Sequence, residues 1–150
     1  MGEREFLQRL KFSGGDGYII PDLPIEEAVN LHSMSKEFDL DPIILMTQTT
    51  SEERLKKLGM SCSGMVYAVA RKGVTGSKTI MDDSIESLIN RCRKYTDVPL
   101  GVGFGISNRA DLDFLRGKAD VAIIGTAALK AWEDSKQAGY RQFFESLQLS

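Results

Sequence analysis

The chain is poor in the residues that hold metals or cross-link small secreted folds. Its 150 residues include two cysteines, Cys62 and Cys92, and a single histidine, His32. Two cysteines form neither a disulfide framework nor a metal cluster, and one histidine cannot supply a site with several imidazole ligands. We therefore expect no metal on this chain, for which we also predict no cofactor. We interpret both cysteines as unreactive thiols and His32 as a solvated helix residue.

The chain also lacks an excess of charge of one sign and any long apolar run. It carries 19 Lys and Arg residues against 21 Asp and Glu residues, with no basic stretch long enough to track a nucleic acid. Apolar runs such as IILM at residues 43–46 are far shorter than the roughly 20 residues of a membrane span. The opening letters MGERE lack the apolar core of a signal peptide. These absences predict a cytoplasmic protein that binds neither nucleic acid nor a membrane.

Two kinds of segment alternate along the chain, as in repeated strand and helix units. Short β-branched runs bounded by Gly, Pro or Asp predict strands, and longer segments with apolar residues three and four positions apart predict helices. Ser51 and the pair Ser107 and Asn108 lie where helix caps are needed, and Gly59 lies where a helix ends. The predicted strands are residues 18–20, 42–46, 64–69, 98–104 and 120–124; the predicted helices are residues 5–10, 25–38, 51–59, 107–115 and 140–147, with one more capped by Ser84.

Five parallel strands fit two architectures, a complete open sheet covered by helices or part of a closed barrel. A barrel needs eight strands and typically about 250 residues. The first segment is a helix with no strand before it, which favours the barrel. We therefore predict an α/β fold, an incomplete TIM barrel, in which residues 1–150 form one domain made of the end of a helix and five strand and helix units.

Glycine-bearing loops follow the last three predicted strands, where ligands bind in both architectures. Glycine lets a backbone amide approach an anion, and amides at a helix start direct their positive ends toward phosphate. The three loops together predict a phosphate site, although each alone is also explained by turn chemistry. They read RKGVTGS at residues 71–77, GFGISN at residues 103–108 and GTAALK at residues 125–130, the last a candidate phosphate-binding helix.

Other features have a structural interpretation beside a functional one. Residues 70–83 form a segment long enough for a lid or for a disordered surface excursion. Asp22 ends a strand like a catalytic carboxylate, but we favour a capping role. Tyr67 lies within a strand, as a ligand contact or as core. Asp120 precedes a strand and so lies at the amino ends of the strands, where residues contribute to stability. Trp132 is interpreted as a packing residue.

Four stretches resemble the α subunit family of tryptophan synthase in order and spacing. They are DGYIIPDLPIEE at residues 16–27, YAVARKGVTG at residues 67–76, GVGFGIS at residues 101–107 and AIIGTA at residues 122–127. The similarity covers nearly the whole chain but only the later part of the family's barrel. The resemblance implies a TIM barrel that cleaves indole-3-glycerol phosphate to indole and glyceraldehyde 3-phosphate. It also implies a β subunit partner that carries pyridoxal phosphate and receives the indole.

The resemblance implies seven substrate-binding residues. Tyr67 corresponds to a tyrosine that lines the pocket, and Thr75 corresponds to a lid threonine that helps order the site on closure. Residues 22–24 correspond to a stretch near the β-subunit interface. The remaining residues surround the substrate phosphate or lie beside it: Gly76, Phe104, Gly105, Gly125 and Thr126.

The family's general acid and base, a glutamate and an aspartate, come from early strands that this chain does not match. No catalytic residue is therefore assigned. Because positioned carboxylates typically contribute about 10²–10⁴-fold each, we expect the chain alone to be nearly inactive. The alternatives are a non-catalytic module that docks on the β subunit or complements a missing fragment, and another phosphate-binding barrel enzyme. The GVTG lid argues against the last.

A five-stranded piece of a barrel exposes two parallel sheet edges and an incompletely covered inner face. We expect Ile19, Ile44, Val66 and Val102, or their neighbours, to lie on that face. Exposed edges and apolar surface favour association between copies. The sequence therefore predicts self-association or marginal stability.

Overall fold

A computed structural model describes residues 1–70, 83–103 and 105–147 of the chain. Strands and helices alternate in it, as the sequence predicts. The strands are β1 (Gly17–Tyr18), β2 (Asp41–Pro42), β3 (Ile44–Thr47), β4 (Val66–Val69), β5 (Leu100–Gly103) and β6 (Val121–Ile123). The helices are α1 (Glu3–Phe12), α2 (Val29–Ser35), α3 (Glu52–Ser61), α4 (Asp83–Arg93), α5 (Arg109–Leu115) and α6 (Thr126–Ser146), with a 3-10 turn at Lys36–Phe38.

All strand pairs are parallel, and they form two sheets. β3, β4, β5 and β6 lie side by side in that sequence, and β1 pairs with β2. The second predicted strand is divided into β2 and β3 because its backbone changes partner at Ile43. The Ile43 amide donates to the Tyr18 carbonyl at 2.8 Å, whereas the Ile44 amide donates to Met65 at 3.1 Å. Five strand positions therefore result, and the fold is the predicted partial α/β barrel.

The two faces of the sheet differ in how well they are covered. Ile44, Val66 and Val102 are at most 8% exposed and pack against α3 and α4. Leu45 and Tyr67, which alternate with them, are half-buried on the opposite face. Of the two options that the sequence left open for the incompletely covered face, the neighbours of Ile44, Val66 and Val102 lie there, because side chains alternate and the helices cover these three.

Apolar side chains of α3 and α4 complete the main core. Leu55, Ile85, Leu88 and Cys92 are at most 1% exposed there. Burying a side chain of leucine size contributes about 1.5–3 kcal/mol. Gly59 lies inside α3 and does not end it: a Cβ at this position would lie 2.2 Å from the Tyr95 carbonyl oxygen. Glycine is therefore needed there for close packing.

A second core lies beneath α1 and α2. Leu7, Leu31 and Leu40 are nearly inaccessible and surround the ring of Tyr18. The Tyr18 hydroxyl lies 2.6 Å from Ser35 Oγ, which in turn donates to the Leu31 carbonyl at 2.7 Å. These polar groups are thus buried with their hydrogen bonds satisfied, as buried polar groups require.

Helix boundaries agree with the sequence where a cap is present. Ser51 accepts the Arg54 amide at 3.3 Å, and Asn108 and Asp111 form a reciprocal capping box at α5. Ser84 is not a cap, since it lies inside α4. The described part of the chain has no helix long and apolar enough to cross a membrane.

Two helices differ from their predicted extents. Residues 24–28 form turns, with the Glu27 and Ala28 amides both donating to the Pro24 carbonyl, and α2 begins only afterwards. The last helix begins at Thr126 and is interrupted at Ser135 and Lys136, whose backbone angles are not helical. The predicted helix at residues 140–147 is its second half.

Candidate functional site

The carboxyl ends of all strands meet at one rim, because every pairing is parallel. The ends of β4 and β5 are joined by a hydrogen bond from the Ala70 amide to the Gly103 carbonyl at 3.2 Å. Of the predicted phosphate loops, those after β5 and β6 leave the sheet at this rim. Residues 71–77, which include Thr75 and Gly76, lie outside the described residues, as does Phe104.

Gly105 turns the chain away from β5. Its φ angle is +89°, in the left-handed region that favours glycine. Immediately afterwards Ile106 is buried, and the Ser107 and Asn108 amides donate to the Asp111 carboxylate at 2.8 and 3.1 Å. The loop is therefore fixed directly after its glycine.

Gly125 and Thr126 form the start of α6 directly after β6. Gly125 is the residue before the first helical turn, and its carbonyl accepts the Leu129 amide at 3.1 Å. Both residues are exposed, and a Cβ on Gly125 would meet no atom within 4 Å. First-turn amides have no acceptor within their own helix, so this start can bind an anion.

Tyr67 extends from β4 across the neighbouring strand. Its ring lies over Gly103, where a Cβ would be 2.1 Å from the tyrosine hydroxyl oxygen. Burial raises the pKa of Tyr67, so its hydroxyl stays protonated as a hydrogen-bond donor. Tyr67 thus lies on the sheet face opposite the helices. Its ring covers β5 at Gly103, two residues before Gly105.

Gln48 links the two ends of the segment at residues 71–82, a role that sequence analysis missed. Its side-chain amide donates to the Ala70 carbonyl at 3.2 Å and to Ser84 Oγ at 3.1 Å. Arg91 in turn donates to the Gln48 carbonyl at 3.0 Å and to the Glu52 carboxylate at 2.6 Å. Hydrogen bonds from Arg91 and Tyr95 lower the pKa of Glu52. This network holds the β3 end of the rim.

A cavity of about 270 Å³ lies near the carboxyl ends of β1 and β3. Pro21 and Leu23 line it together with Thr50, Arg54 and His32. The interpretation of His32 as solvated is wrong: its Nδ1 is buried and has no hydrogen-bond partner among the described residues. Burial lowers the pKa of His32.

The other single-residue interpretations have mixed outcomes. Asp120 accepts the Leu100 amide at 2.7 Å and pairs with Arg93, so its structural role is confirmed, and these bonds lower its pKa. Asp22 is exposed, makes no hydrogen bond with a described residue and lies well before α2, so the capping role is wrong. Trp132 is 46% exposed, which contradicts its interpretation as a packing residue.

Both cysteine thiols are held in their protonated form. Burial raises the pKa of Cys62 and of Cys92 to about 11. Cys92 is fully inaccessible, and Cys62 is half-buried beside the Pro42 carbonyl. This agrees with their interpretation as unreactive thiols.

Comparison with known proteins identifies relatives along nearly the whole chain. The family model described as "Tryptophan synthase alpha chain" matches residues 1–149. The tryptophan synthase alpha chain of Desulfotalea psychrophila is 38% identical over 146 residues, which are 97% of this chain and 58% of that protein. The corresponding protein of Methanocaldococcus jannaschii is 44% identical over 133 residues, covering 89% of this chain and 47% of its own length.

Solved structures give the same result for the fold. A chain of the tryptophan synthase a2b2 complex from Pyrococcus furiosus superposes with a TM-score of 0.85 at 29% identity, covering 97% of this chain and 60% of that one. A chain of tryptophan synthase from Mycobacterium tuberculosis gives a TM-score of 0.86 at 32% identity, covering 97% and 55%. These neighbours are TIM barrels, of which this chain spans somewhat more than half. The chain belongs to the tryptophan synthase alpha chain family.

Proposed function

We propose that this chain supplies the phosphate-binding part of a carbon-carbon lyase of tryptophan biosynthesis. The reaction is the aldol-type cleavage of indole-3-glycerol phosphate to indole and glyceraldehyde 3-phosphate. The proposal is supported by membership of the family and by one observation on the rim. Gly103 pairs with Ile123 across β5 and β6, and Gly105 and Gly125 each follow two positions later. Because neighbouring strands lie about 4.8 Å apart, the two loops leave the sheet side by side.

The substrate phosphate is held by backbone amides in this proposal. Gly105 and Gly125 bring their amides to one point without a Cβ between them, Thr126 adds an amide and a hydroxyl, and the positive end of the α6 dipole faces the anion. From the family resemblance we assign a further amide to Gly76, the ordering of the lid to Thr75 and a place beside the phosphate to Phe104. The protonated Tyr67 hydroxyl lines the pocket. The chain itself needs no cofactor.

Carbon-carbon cleavage also needs a proton to be delivered to the indole ring and another to be removed from the side-chain hydroxyl. No residue of this chain is assigned to either transfer, which the family performs with carboxylates of its early strands. The chain alone therefore binds the phosphate but releases indole at a rate reduced by several orders of magnitude. Measurable indole release by the purified chain at the rate of a complete enzyme would contradict this.

Calorimetric titration with glycerol phosphate, and with an indolyl phosphate analogue, tests the site. We expect saturable binding, and a rise in the unfolding midpoint equivalent to roughly 2.7 kcal/mol at 100 times the dissociation constant. Gly125→Asp abolishes both effects because it adds a negative charge at the phosphate position. Gly2→Asp is the matched control, since it adds the same charge at an open position before α1 whose extended backbone suits aspartate. Absence of binding to the unaltered chain would reject the proposal.

We propose the β subunit of tryptophan synthase, with its pyridoxal phosphate, as the partner in the cytoplasm. Structures of related chains come from complexes, including that of Pyrococcus furiosus. On this chain Pro21, Asp22 and Pro24 are exposed at the rim, where indole would leave. Asp22→Lys is expected to weaken capture by immobilised β subunit. Asp97→Lys, an equally exposed site at the amino end of β5, leaves capture unchanged; equal capture of all three chains would contradict the proposed interface.

A further inference from the structure

A side chain joins β3 to β4 at the point where their backbone pairing ends. Thr47 and Val69 are the last paired residues of the two strands. Gln48 and Ala70 follow them, and the Gln48 side-chain nitrogen donates to the Ala70 carbonyl at 3.2 Å. Because a carbonyl oxygen can only accept a hydrogen bond, this contact fixes which way the Gln48 amide group is turned. Gln48 therefore connects the strands one position beyond their last backbone pair.

The main chain of Gln48 is itself held in place. The Arg91 guanidinium donates to the carbonyls of Gln48, at 3.0 Å, and of Thr50. Arg91 also pairs with Glu52 at 2.6 Å, and the Tyr95 hydroxyl donates to the same carboxylate at 2.8 Å. Hydrogen bonds from or to a charged group are stronger than those between neutral groups. The Gln48 side chain consequently starts from a fixed point, and it loses less conformational entropy when it reaches across to β4.

The connection continues from β4 to β5. Ala70 accepts the hydrogen bond from Gln48 with its carbonyl, and its amide donates to the Gly103 carbonyl at 3.2 Å. Ala70 is 2% exposed and belongs to the main core. Since a close-packed core leaves a buried residue little room to adjust, a displacement of Ala70 is passed on to Gly103. Gln48 and the end of β5 are therefore linked through one buried residue.

The end of β5 determines where Gly105 lies. After this glycine, the Asp111 carboxylate accepts two backbone amides and fixes the start of α5. Two residues before it, the hydrogen bond from Ala70 holds the Gly103 carbonyl against β4. A shift at Gly103 therefore moves the Gly105 amide relative to the rest of the rim.

We propose that Gln48 is a positioning residue for the phosphate site, acting through Ala70 on the amide of Gly105. The inference rests on the proposed function, in which that amide binds the substrate phosphate. Gly125 is positioned independently, because it precedes the first turn of α6 and its carbonyl bonds within that helix. Loss of the Gln48 donor therefore disturbs one phosphate contact and spares the other.

Labelling of glycine with ¹⁵N separates the two contacts. The 14 glycines of the chain give a simple amide spectrum, and glycerol phosphate is the probe. In the unaltered chain we expect the amides of Gly105 and Gly125 to shift with a single Kd. Gln48→Met keeps the length of the side chain and removes its donor. We expect the Kd to rise about two- to tenfold, the effect of one hydrogen bond, and the shift of Gly105 at saturation to fall relative to that of Gly125.

Gln8→Met is the matched control, since it makes the same change at an exposed position of α1. It should leave the Kd and both glycine shifts as they are in the unaltered chain. A residue that only stabilised the fold would change the unfolding midpoint of Gln48→Met but not the ratio of the two shifts. An unchanged ratio therefore overturns the positioning role.

A second variant keeps the test decisive if Gln48→Met does not fold. Gln48→Asn retains the amide group but is one methylene shorter, so it should lose the contact with Ala70 and give the same fall in the Gly105 shift. If neither Gly105 nor Gly125 of the unaltered chain responds to glycerol phosphate, the phosphate site is rejected and the role of Gln48 with it. If both respond alike in the unaltered chain and in the variants, the phosphate site stands and only the role of Gln48 is overturned.

Discussion

His32 shows how a single residue can differ from the expectation set by its position. Its place on a short helix suggested solvent, but the ring lies beside Tyr18, with ring centroids 6.3 Å apart, at the wall of a cavity. Burial disfavours the imidazolium form of His32. Arg54, which lines the same cavity, is itself a cation and does not stabilise that form. The folded chain therefore binds a proton at His32 less tightly than the unfolded chain does.

This difference predicts a dependence of stability on pH. The contribution of neutral His32 to folding stability is fully present above pH 6.5, the pKa of an ordinary histidine. It is lost as the pH falls toward the lower pKa that His32 has in the folded state. Because His32 is the one histidine of the chain, this pH window reports on it. We expect the free energy of unfolding, measured by urea denaturation, to fall between about pH 7.5 and pH 5.5.

His32→Gln is the control for that dependence. Glutamine keeps a polar group at the cavity wall but does not titrate, so the slope between about pH 7.5 and pH 5.5 should flatten. A slope that is equal in both chains would mean that His32 is solvated after all.

At the scale of elements, the packing of α3 on the end of α4 depends on Gly59. Alanine at this position gains up to about 1 kcal/mol of helix propensity. Its Cβ, however, would lie 2.2 Å from the Tyr95 carbonyl oxygen, a backbone atom that cannot rotate away. The two helices must separate, and we expect Gly59→Ala to lower the free energy of unfolding by about 1–3 kcal/mol.

Met60→Ala is the matched control for this packing prediction. Met60 is the next residue of α3, and its side chain is 80% exposed. Alanine there changes helix propensity without a steric contact, so the unfolding free energy should change by less than about 0.5 kcal/mol. Stabilisation by Gly59→Ala in chemical denaturation would show that the helices accommodate the methyl group.

The strands were predictable from sequence because buried parallel strands are continuous apolar runs. The division of the second predicted strand at Ile43 was not predictable from sequence. It depends on which neighbouring strand accepts each backbone amide, and the pattern of apolar residues does not record this. The length of α6 was missed for a similar reason: Ser135 and Lys136 interrupt the helical periodicity.

The rim was predictable only in part. The loop positions of Gly105 and Gly125 could be predicted because the backbone freedom of glycine is a property of the residue itself. Gln48 and Arg91 act through carbonyls 22 to 43 positions away, and such contacts are set by the fold. Tyr67 could not be assigned to a face before the helices fixed the phase of β4.

At the scale of the whole molecule, β6 has no further strand beside it in the part of the chain that the structure describes, and this edge predicts association between copies when no partner is present. Unpaired parallel edges and apolar surface pair with other chains. We expect the sedimentation coefficient of the isolated chain to rise with concentration. Val121→Lys places a charge on the edge and should lower this rise, whereas Val29→Lys, at a 67% exposed site on α2, should not. A monomer that unfolds sharply at every concentration would contradict the expected edge pairing.

The two buried thiols have a practical consequence for labelling chemistry. With a pKa of about 11, Cys62 and Cys92 are ionised to roughly one part in ten thousand at neutral pH. An exposed thiol of ordinary pKa is ionised to a few per cent under the same conditions. A cysteine introduced in place of Met60 would therefore react with a maleimide dye at least about a hundred times faster than either native thiol. The chain can carry a single fluorophore while both of its own cysteines stay in place.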